Sequence, residues 1–318
     1  MARYRILSLD GGGIRGVLTA TLLERLEAAR PGFLEEIDLF AGTSTGGILA
    51  LGLAAGVPPA EARAMYEVKG LQVFADSIVD DLKDLGNSVG AQYSNGGLKE
   101  ALLAQFGSKT LADLPKKVLI SSYDLDNAPA APGMLRTWKA KFFHNFPGED
   151  SDGDQLVVDV ALRTSAAPSY FPTYQGYVDG GVVANNPAMC ALAQALDERA
   201  ARQNLRDVVL LSVGTGTYSQ YLSAQDADWG WVQWAKPIID IMLGGSMGLA
   251  NFQCEQLLGK RYHRLSPMLK EPIRLDDVRE VPRLKALANQ VDLTETEKWL
   301  GYYFRDEPRA SGRRARTH

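Results

Sequence analysis

Apolar runs that end on glycine alternate with helical periodicity in the N-terminal part of the chain. Arg5 to Leu9 is a short apolar run that closes on three glycines, and apolar residues recur at helical spacing from Val17 to Ala29. The order then repeats, because a strand-like run from Ile37 to Ala41 enters GTSTGG and a small-residue helix is expected from Ile48 to Ala55. The pattern predicts two consecutive strand–turn–helix units.

The alternation continues through the rest of the chain. A short helix is expected before Pro168, and a long one from Pro187 to about Gln203. Further strand-like segments are KVLISSY (117–123), an extended edge segment (134–146), YVDGG (177–181) and VVLLSVGTG (208–216). Strands that alternate with helices favour the α/β class, with a mostly parallel sheet covered on both faces and its reactive loops at the carboxyl edge.

The composition is that of an ordinary globular protein and excludes little. Of the 318 residues, 46% are hydrophobic and 23% are charged, and the net charge of −4 gives no overall attraction to nucleic acid. Because the chain has no internal repeat or linker, residues 1–304 are expected to form one domain. Residues 305–318 are rich in arginine and lack apolar periodicity, which is typical of a disordered tail.

Three features bear on the location of the protein. The N-terminus lacks the cleavage pattern of a signal peptide. Cys190 and Cys254 have no C-x-x-C spacing, which favours buried free thiols and a reducing cytoplasm. The uncharged stretch Leu39–Ala60 has the length of a membrane span, but its polar glycine turn spoils a lipid-facing helix. We therefore expect a cytoplasmic protein in which this stretch is a buried strand, a turn and a helix.

A second apolar stretch has two interpretations. Trp229, Trp231 and Trp234 precede an apolar helix that is interrupted by Gly-Gly. A core helix is the preferred interpretation, and the alternative is a lid or belt that meets a membrane. No metal site is expected, since the acidic run 149–155 lacks the glycine and the glutamate of a calcium loop.

GTSTG at 42–46 fits G-x-S-x-G, the pattern of a nucleophile elbow. In such an elbow a strained strand-to-helix turn exposes a serine, and its glycines relieve crowding. Ser44 would then lie at a helix N-terminus, where the free N–H groups favour developing negative charge. The predicted strand before Ser44 and the predicted helix after it make this residue the candidate nucleophile.

A serine nucleophile needs a base, and the chain offers two kinds. Histidine is the usual base, but His144 and His318 are poorly placed in sequence and only His263 is a serious candidate for a triad. Asp179 follows a strand and would lie at the same sheet edge as Ser44. Its difficulty is basicity, because an ordinary carboxylate has a pKa near 4, and partial burial would raise that pKa. An Asp before Gly-Gly also commonly caps a turn.

The triplet Gly11, Gly12 and Gly13 begins a match to G-x-G-x-x-G, the pattern of a dinucleotide-binding turn. Such a site needs an acidic residue at the end of the second strand, and here that strand ends in AGTSTGG. Consecutive glycines also suit an oxyanion hole, because several N–H groups can converge on one oxygen without a Cβ in the way. We favour the oxyanion hole, and a nucleotide-binding regulatory module is the alternative.

Four motifs together carry a resemblance to a known family. DGGGIRG (10–16), GTSTGG (42–47), TSAAPSYFP (164–172) and DGGVVANNP (179–187) closely resemble, in order and spacing, the patatin-like phospholipases. The resemblance extends through LLSVGTG to about KRYHRLSP, which covers most of the chain. It implies a three-layer α/β/α sandwich with a mostly parallel central sheet. It also implies hydrolysis of phospholipid or lysophospholipid esters by a Ser–Asp dyad.

The resemblance assigns roles to individual residues. Ser44 would be the nucleophile, Asp179 the base, and Gly11, Gly12 and Gly13 the oxyanion hole. Arg15 matches a basic position of the family, where it would attract a lipid phosphate, polarise the loop or fix its shape by a salt bridge. No cofactor or metal is implied, and no nucleic acid partner is expected. Peripheral contact with a membrane is expected. The rival enzyme is an esterase that uses a triad with His263.

Overall fold

The central sheet of the protein is mixed and mostly parallel. The computed structural model describes residues 3–75, 91–128, 135–219, 221–222, 228–234 and 237–304. The strands are β1 (Tyr4–Leu9), β2 (Leu39–Thr43), β3 (Lys117–Asp124), β4 (Lys139–His144), β5 (Tyr177–Asp179), β6 (Val208–Val213) and β7 (Tyr262–Leu265). They are ordered β4-β3-β2-β1-β6-β7, and β5 pairs with β3. Only β4 and β5 run antiparallel to their neighbour, so the expected parallel sheet and its extended edge segment are confirmed.

Helices pack on both faces of this sheet. They are α1 (Gly16–Ala29), α2 (Thr45–Ala54), α3 (Pro59–Ala75), α4 (Gly96–Phe106), α5 (Val157–Thr164), α6 (Gly181–Ala184), α7 (Ala188–Leu196), α8 (Trp231–Trp234), α9 (Pro237–Leu258), α10 (Val281–Gln290) and α11 (Thr294–Tyr303). Leu39 and Ala41 of β2 enter one apolar cluster and Phe40 enters the other, because successive side chains of a strand point to opposite faces. The fold is therefore a three-layer α/β/α sandwich, as expected.

The described helices correct two expectations. The helix expected from Pro187 to Gln203 ends at Leu196, because Asp197 takes extended backbone angles and its side chain accepts the Arg199 N–H at 2.8 Å. The expected break at Gly244-Gly245 does not occur, and α9 continues through both residues. Glycine costs a helix only about 1 kcal/mol relative to alanine, so a pair is tolerated.

The uncharged stretch Leu39–Ala60 is a strand, a turn and helices, as predicted. Within the described ranges, no helix is both long and apolar enough to cross a lipid bilayer.

Of the two cysteines, Cys254 is buried and Cys190 half-buried, and both are free. The predicted tail at 305–318 and His318 lie outside the described residues.

Candidate active site

Ser44 occupies a strained turn between β2 and α2. Its backbone angles are φ 54 and ψ −124, a left-handed conformation that is unfavourable for any residue with a side chain. A Cβ on Gly46 would lie 2.3 Å from the Leu9 carbonyl oxygen, so the close approach of α2 to β1 requires glycine there. The Ser44 N–H donates to Thr164 Oγ1 at 2.9 Å, which holds the turn from the side of α5. This is the geometry predicted for a nucleophile elbow.

The register of β3 brings Asp179 beside Ser44. Thr43 at the end of β2 pairs with Ser121, and Asp179 at the end of β5 pairs with Ser122, the next residue of β3. Because β4 occupies the other edge of β3 along this stretch, β5 continues the edge that β2 uses. The two segments thus end next to each other, so Ser44 and Asp179 line the same cavity, and the Ser44 hydroxyl is near enough to the Asp179 carboxylate to lower its pKa.

The Asp179 carboxyl is buried, with only 6% of the residue exposed. Its Oδ1 accepts the Gly181 N–H at 2.7 Å. Burial raises its pKa to about 6, against the lowering effect of the nearby Ser44 hydroxyl and of the Gly181 N–H. The carboxylate is thus a stronger base than an ordinary Asp, and it does cap the turn before α6 as well.

The glycine triplet lies directly beside Ser44. A Cβ on Gly11 would lie 3.3 Å from the Ser44 Cβ. The Gly11 N–H donates to the Asn185 carbonyl at 3.0 Å. In contrast, neither the Gly12 nor the Gly13 N–H donates to any acceptor in the described part of the chain. Gly13 has φ 56, and a Cβ there would lie 2.2 Å from the Leu275 carbonyl oxygen. The loop therefore presents two N–H groups rather than three.

Side chains fix the position of this loop from behind. Arg264 of β7 forms a two-point ion pair with the buried Asp10 carboxylate, with 2.8 Å between Nη1 and Oδ1, and it also donates to Ser212 Oγ at 2.7 Å. Thr215 Oγ1 donates to the Gly11 carbonyl at 2.9 Å. These bonds tie the start of the loop to β6 and β7, so the loop cannot shift without breaking buried polar contacts.

Arg15 follows the triplet and lines the same cavity. Its Nε lies 3.4 Å from the Gly12 carbonyl oxygen, and no carboxylate of the described residues forms an ion pair with it. Removal from water lowers the pKa of its guanidinium. The carboxylate nearest in sequence, Asp10, is instead paired with Arg264, so the alternative of a shape-fixing salt bridge at Arg15 is wrong for the described residues.

A cavity of about 1410 Å³ opens over Ser44, Asp179 and the glycine triplet. One arm runs between α2, α3 and α4 and is lined by apolar residues, among them Ile48, Leu102 and Phe106. The other part lies under α9 and is also lined by three arginines, Arg15, Arg264 and Arg274. The arrangement suits a ligand that combines a long apolar portion with a polar or anionic one.

The described histidines lie away from this cavity. His263 Nε2 lies 2.8 Å from Thr296 Oγ1, and the ring stacks on Trp299 at 5.3 Å between centroids. His144 packs against Phe146. The structure therefore contradicts the rival triad with His263. No group of three metal-binding side chains occurs within the described ranges.

Comparison with known families agrees with this geometry. A family model described as Patatin-like phospholipase matches residues 7–192, which is more than half of the chain. The chain belongs to the patatin-like phospholipase family.

Relatives of this chain include proteins named as phospholipases. It is 32% identical to a cGAMP-activated phospholipase of Pseudomonas aeruginosa over 88% of this chain and 83% of that protein. It is 29% identical to the mouse (Mus musculus) 85/88 kDa calcium-independent phospholipase A2 over 95% of this chain and 39% of that protein. A solved structure of VipD from Legionella pneumophila aligns with 14% identity and a TM-score of 0.37, over 90% of this chain and 67% of that one.

Several groups that shape the site of this patatin-like phospholipase were not predicted. Arg264 was missed because any of the 34 Lys and Arg residues could have paired with Asp10. Thr164 lies within the TSAAPSYFP motif, but sequence alone does not show that its hydroxyl meets the Ser44 N–H. Asn185 orders the glycine loop through its contacts with Gly11, and the main bond comes from its backbone carbonyl.

Proposed function

We propose that this protein is a lipid acyl hydrolase that cleaves carboxylic esters of phospholipids or lysophospholipids with a Ser44–Asp179 dyad. The observation that carries the proposal is the position of Ser44, in a strained turn beside the buried Asp179 carboxyl, whose pKa is raised to about 6. The two described histidines have other partners, so Asp179 is the base that lies within reach of Ser44.

The proposed reaction proceeds through an acyl-enzyme. Ser44 Oγ attacks the ester carbonyl while its proton passes to Asp179, and the carbonyl oxygen becomes an oxyanion. The C–O bond to the leaving alcohol then breaks, and the alcohol takes the proton from Asp179. Water next gives a proton to Asp179 and attacks the acyl-enzyme. Collapse of this second intermediate releases the fatty acid and returns the proton to Ser44.

The glycine loop is the proposed oxyanion hole. The Gly12 and Gly13 N–H groups are the donors we assign to the oxyanion, since the Gly11 N–H is already bonded to Asn185. Donors fixed in advance stabilise the developing charge without reorganising, and removal of one such donor typically costs about 10²–10³ in kcat. The ion pair of Asp10 with Arg264 supports this role, because it holds the loop against the sheet.

Arg15 is the proposed contact for the lipid phosphate. Its guanidinium lines the cavity near the dyad and has no carboxylate partner among the described residues. A phosphodiester would supply the missing countercharge, and Arg binds phosphate oxygens through charge-assisted hydrogen bonds. The polar part of the substrate would accordingly lie under α9 and its acyl part in the apolar arm.

Peripheral contact with a bilayer is part of the proposal. Five apolar residues of α9 recur at helical spacing and are exposed to solvent. We call them the outer stripe, which consists of Ile238, Ile241, Met242, Leu249 and Phe252. Trp231 of α8 is 92% exposed. Met242 belongs both to the outer stripe and to the cavity wall, so a bilayer in contact with the stripe would meet the cavity mouth.

Fatty-acid release from phosphatidylcholine vesicles tests the proposed dyad. We expect Ser44→Ala and Asp179→Asn each to lower kcat by about 10³-fold or more, since members of a catalytic unit act together. Asp154→Asn removes an exposed carboxylate and serves as the matched control with unchanged turnover. Near-normal turnover by Asp179→Asn would contradict the dyad, and loss of turnover in a folded His263→Ala variant would revive the triad.

A further inference from the structure

The apolar arm of the cavity has the form of a groove between three helices. Thr45, Ile48, Leu49 and Gly52 line it from α2 at spacings of three and four residues, which places them on one face of that helix. Four residues of α4 line the facing wall at the same spacing: Leu98, Ala101, Leu102 and Gln105. Ala62, Met65 and Tyr66 of α3 line the third side. We call this space the acyl groove.

Gly52 is an unusual residue for such a wall. It is buried, it lies inside a regular helix, and a Cβ added to it would meet only Val57, at 3.8 Å. A buried helical position normally packs against neighbouring side chains. Here the space beside the helix belongs to the cavity instead, so no contact within the described fold demands a glycine. The absence of a side chain extends the groove past this point.

The distance from Ser44 to Gly52 can be expressed as a length of fatty acyl chain. The eight residues of advance along α2 correspond to about 12 Å at the helical rise. Carbon–carbon bonds of about 1.5 Å advance an extended chain by about 1.3 Å each, so about nine or ten carbons span this distance. A longer chain must pass Gly52 and continue toward Val57, Leu102 and Phe106, which also line the groove.

We propose that Gly52 determines which acyl chains the enzyme accepts, by leaving the acyl groove open beyond about ten carbons. The proposal rests on the function proposed above, because it places the acyl group bound to Ser44 along α2. The arginines that line the cavity, Arg15, Arg264 and Arg274, lie outside the acyl groove, whose lining residues are mostly apolar. The apolar groove is therefore the part of the cavity that suits a hydrocarbon chain.

Hydrolysis of p-nitrophenyl esters with acyl chains of four to sixteen carbons tests the proposal. The readout is the ratio of kcat/KM for the sixteen-carbon ester to that for the four-carbon ester. We expect Gly52→Leu to lower this ratio tenfold or more while the four-carbon value stays within about threefold of wild type. Gly301→Leu adds the same side chain to a helical glycine of α11 that has no neighbour within 4 Å of its added Cβ, and it should leave the ratio unchanged.

The outcomes separate this proposal from the one on which it rests. An unchanged ratio in Gly52→Leu overturns the acyl groove but leaves the dyad standing. Normal hydrolysis of all esters by Ser44→Ala overturns the dyad instead. If Gly52→Leu loses activity on every ester, Ala101→Leu on α4 decides, because it narrows the groove from a helix that does not carry Ser44. A lowered ratio in that variant supports the groove, and an unchanged one overturns it.

Discussion

The glycines at the sheet edge that carries Ser44 and Asp179, the proposed catalytic edge, differ sharply from those of α9. A Cβ on Gly42, Gly46 or Gly180 would lie within 2.4 Å of a heavy atom, and each clash involves backbone. A Cβ on Gly244 or Gly245 of α9 would have no neighbour within 4 Å. Glycine thus allows backbone segments to pack closely near Ser44 and Asp179. In α9 it fills no packing requirement, since a side chain would have open space.

The polar groups of the two regions differ in the same way. At the catalytic edge the loops around Ser44, Asp179 and Asp10 are held by buried hydrogen bonds. The outer stripe of α9 exposes apolar side chains, and Met242 alone is 63% exposed. The preferred interpretation of a core helix is therefore wrong for this face of α9. One region is specified by contacts within the fold, whereas the other exposes an apolar surface to solvent.

The largest expected effect comes from removal of the charge behind the glycine loop. Arg264→Met would leave the Asp10 carboxylate buried without its partner, which typically costs about 3–5 kcal/mol. Urea denaturation followed by circular dichroism measures this loss. Arg136→Met breaks the exposed pair with Asp126 and should leave the midpoint nearly unchanged. Equal effects of the two changes would contradict the contrast between the buried edge and the surface.

The next largest effect is expected from Asp179→Asn, which should gain stability and lose activity. Because burial raises the pKa of Asp179 from about 3.8 to about 6, its ionised form destabilises the folded state by about 3 kcal/mol above pH 6. Below about pH 4 this penalty is absent. Asp179→Asn should therefore be more stable than wild type by up to that amount at pH 8, with the difference vanishing as the pH falls to 4.

Denaturation curves at pH 4, 6 and 8 measure this difference between Asp179→Asn and wild type. The same ionisation predicts the pH dependence of catalysis, since only the carboxylate accepts the Ser44 proton. The kcat/KM should fall about tenfold per pH unit below pH 6 and level off above it. A stability difference that does not depend on pH would show that Asp179 titrates alike in the folded and unfolded chain.

Alanine at a glycine in each region tests the contrast directly. Gly46→Ala should destabilise the protein by about 1–3 kcal/mol, because the added methyl meets the Leu9 and Asp10 carbonyl oxygens. Gly245→Ala should stabilise it by about 0.5–1 kcal/mol, because alanine is the better helix former and the space is open. Thermal unfolding of both variants checks the opposite signs, and equal signs would refute the comparison.

The smallest effect on stability is expected on the outer stripe. Phe252→Ser should change the free energy of unfolding by no more than about 0.5 kcal/mol, since the residue is mostly exposed. Binding of the Phe252→Ser variant to phosphatidylcholine vesicles, measured by sedimentation, should weaken several-fold. Tyr302→Ser, on the exposed surface of α11, is the matched control. Unaltered vesicle binding by Phe252→Ser would indicate another occupant, and a dimer that this change dissociates would identify a second copy.

The elements of the fold were predictable where a pattern is local. The strand-like runs at Arg5 to Leu9 and Val208 onward and the turn at Ser44 were found because apolar periodicity and glycine spacing specify them. Features set by distant contacts were not found. The end of α7 depends on how Asp197 meets Arg199, and the two-donor loop depends on the Asn185 carbonyl. Neither backbone detail leaves a period or motif in the sequence.

The pairing of β3 with both β2 and β5 has a consequence for the history of the chain. Thr43 at the end of β2 and Asp179 at the end of β5 pair with neighbouring residues of β3, Ser121 and Ser122. The separation of Ser44 from Asp179 is therefore set by the geometry of the strands. It does not depend on how much chain connects the two strands. Connecting segments can therefore gain or lose residues during evolution, and new regulatory surfaces can arise in them, without altering the spacing of nucleophile and base.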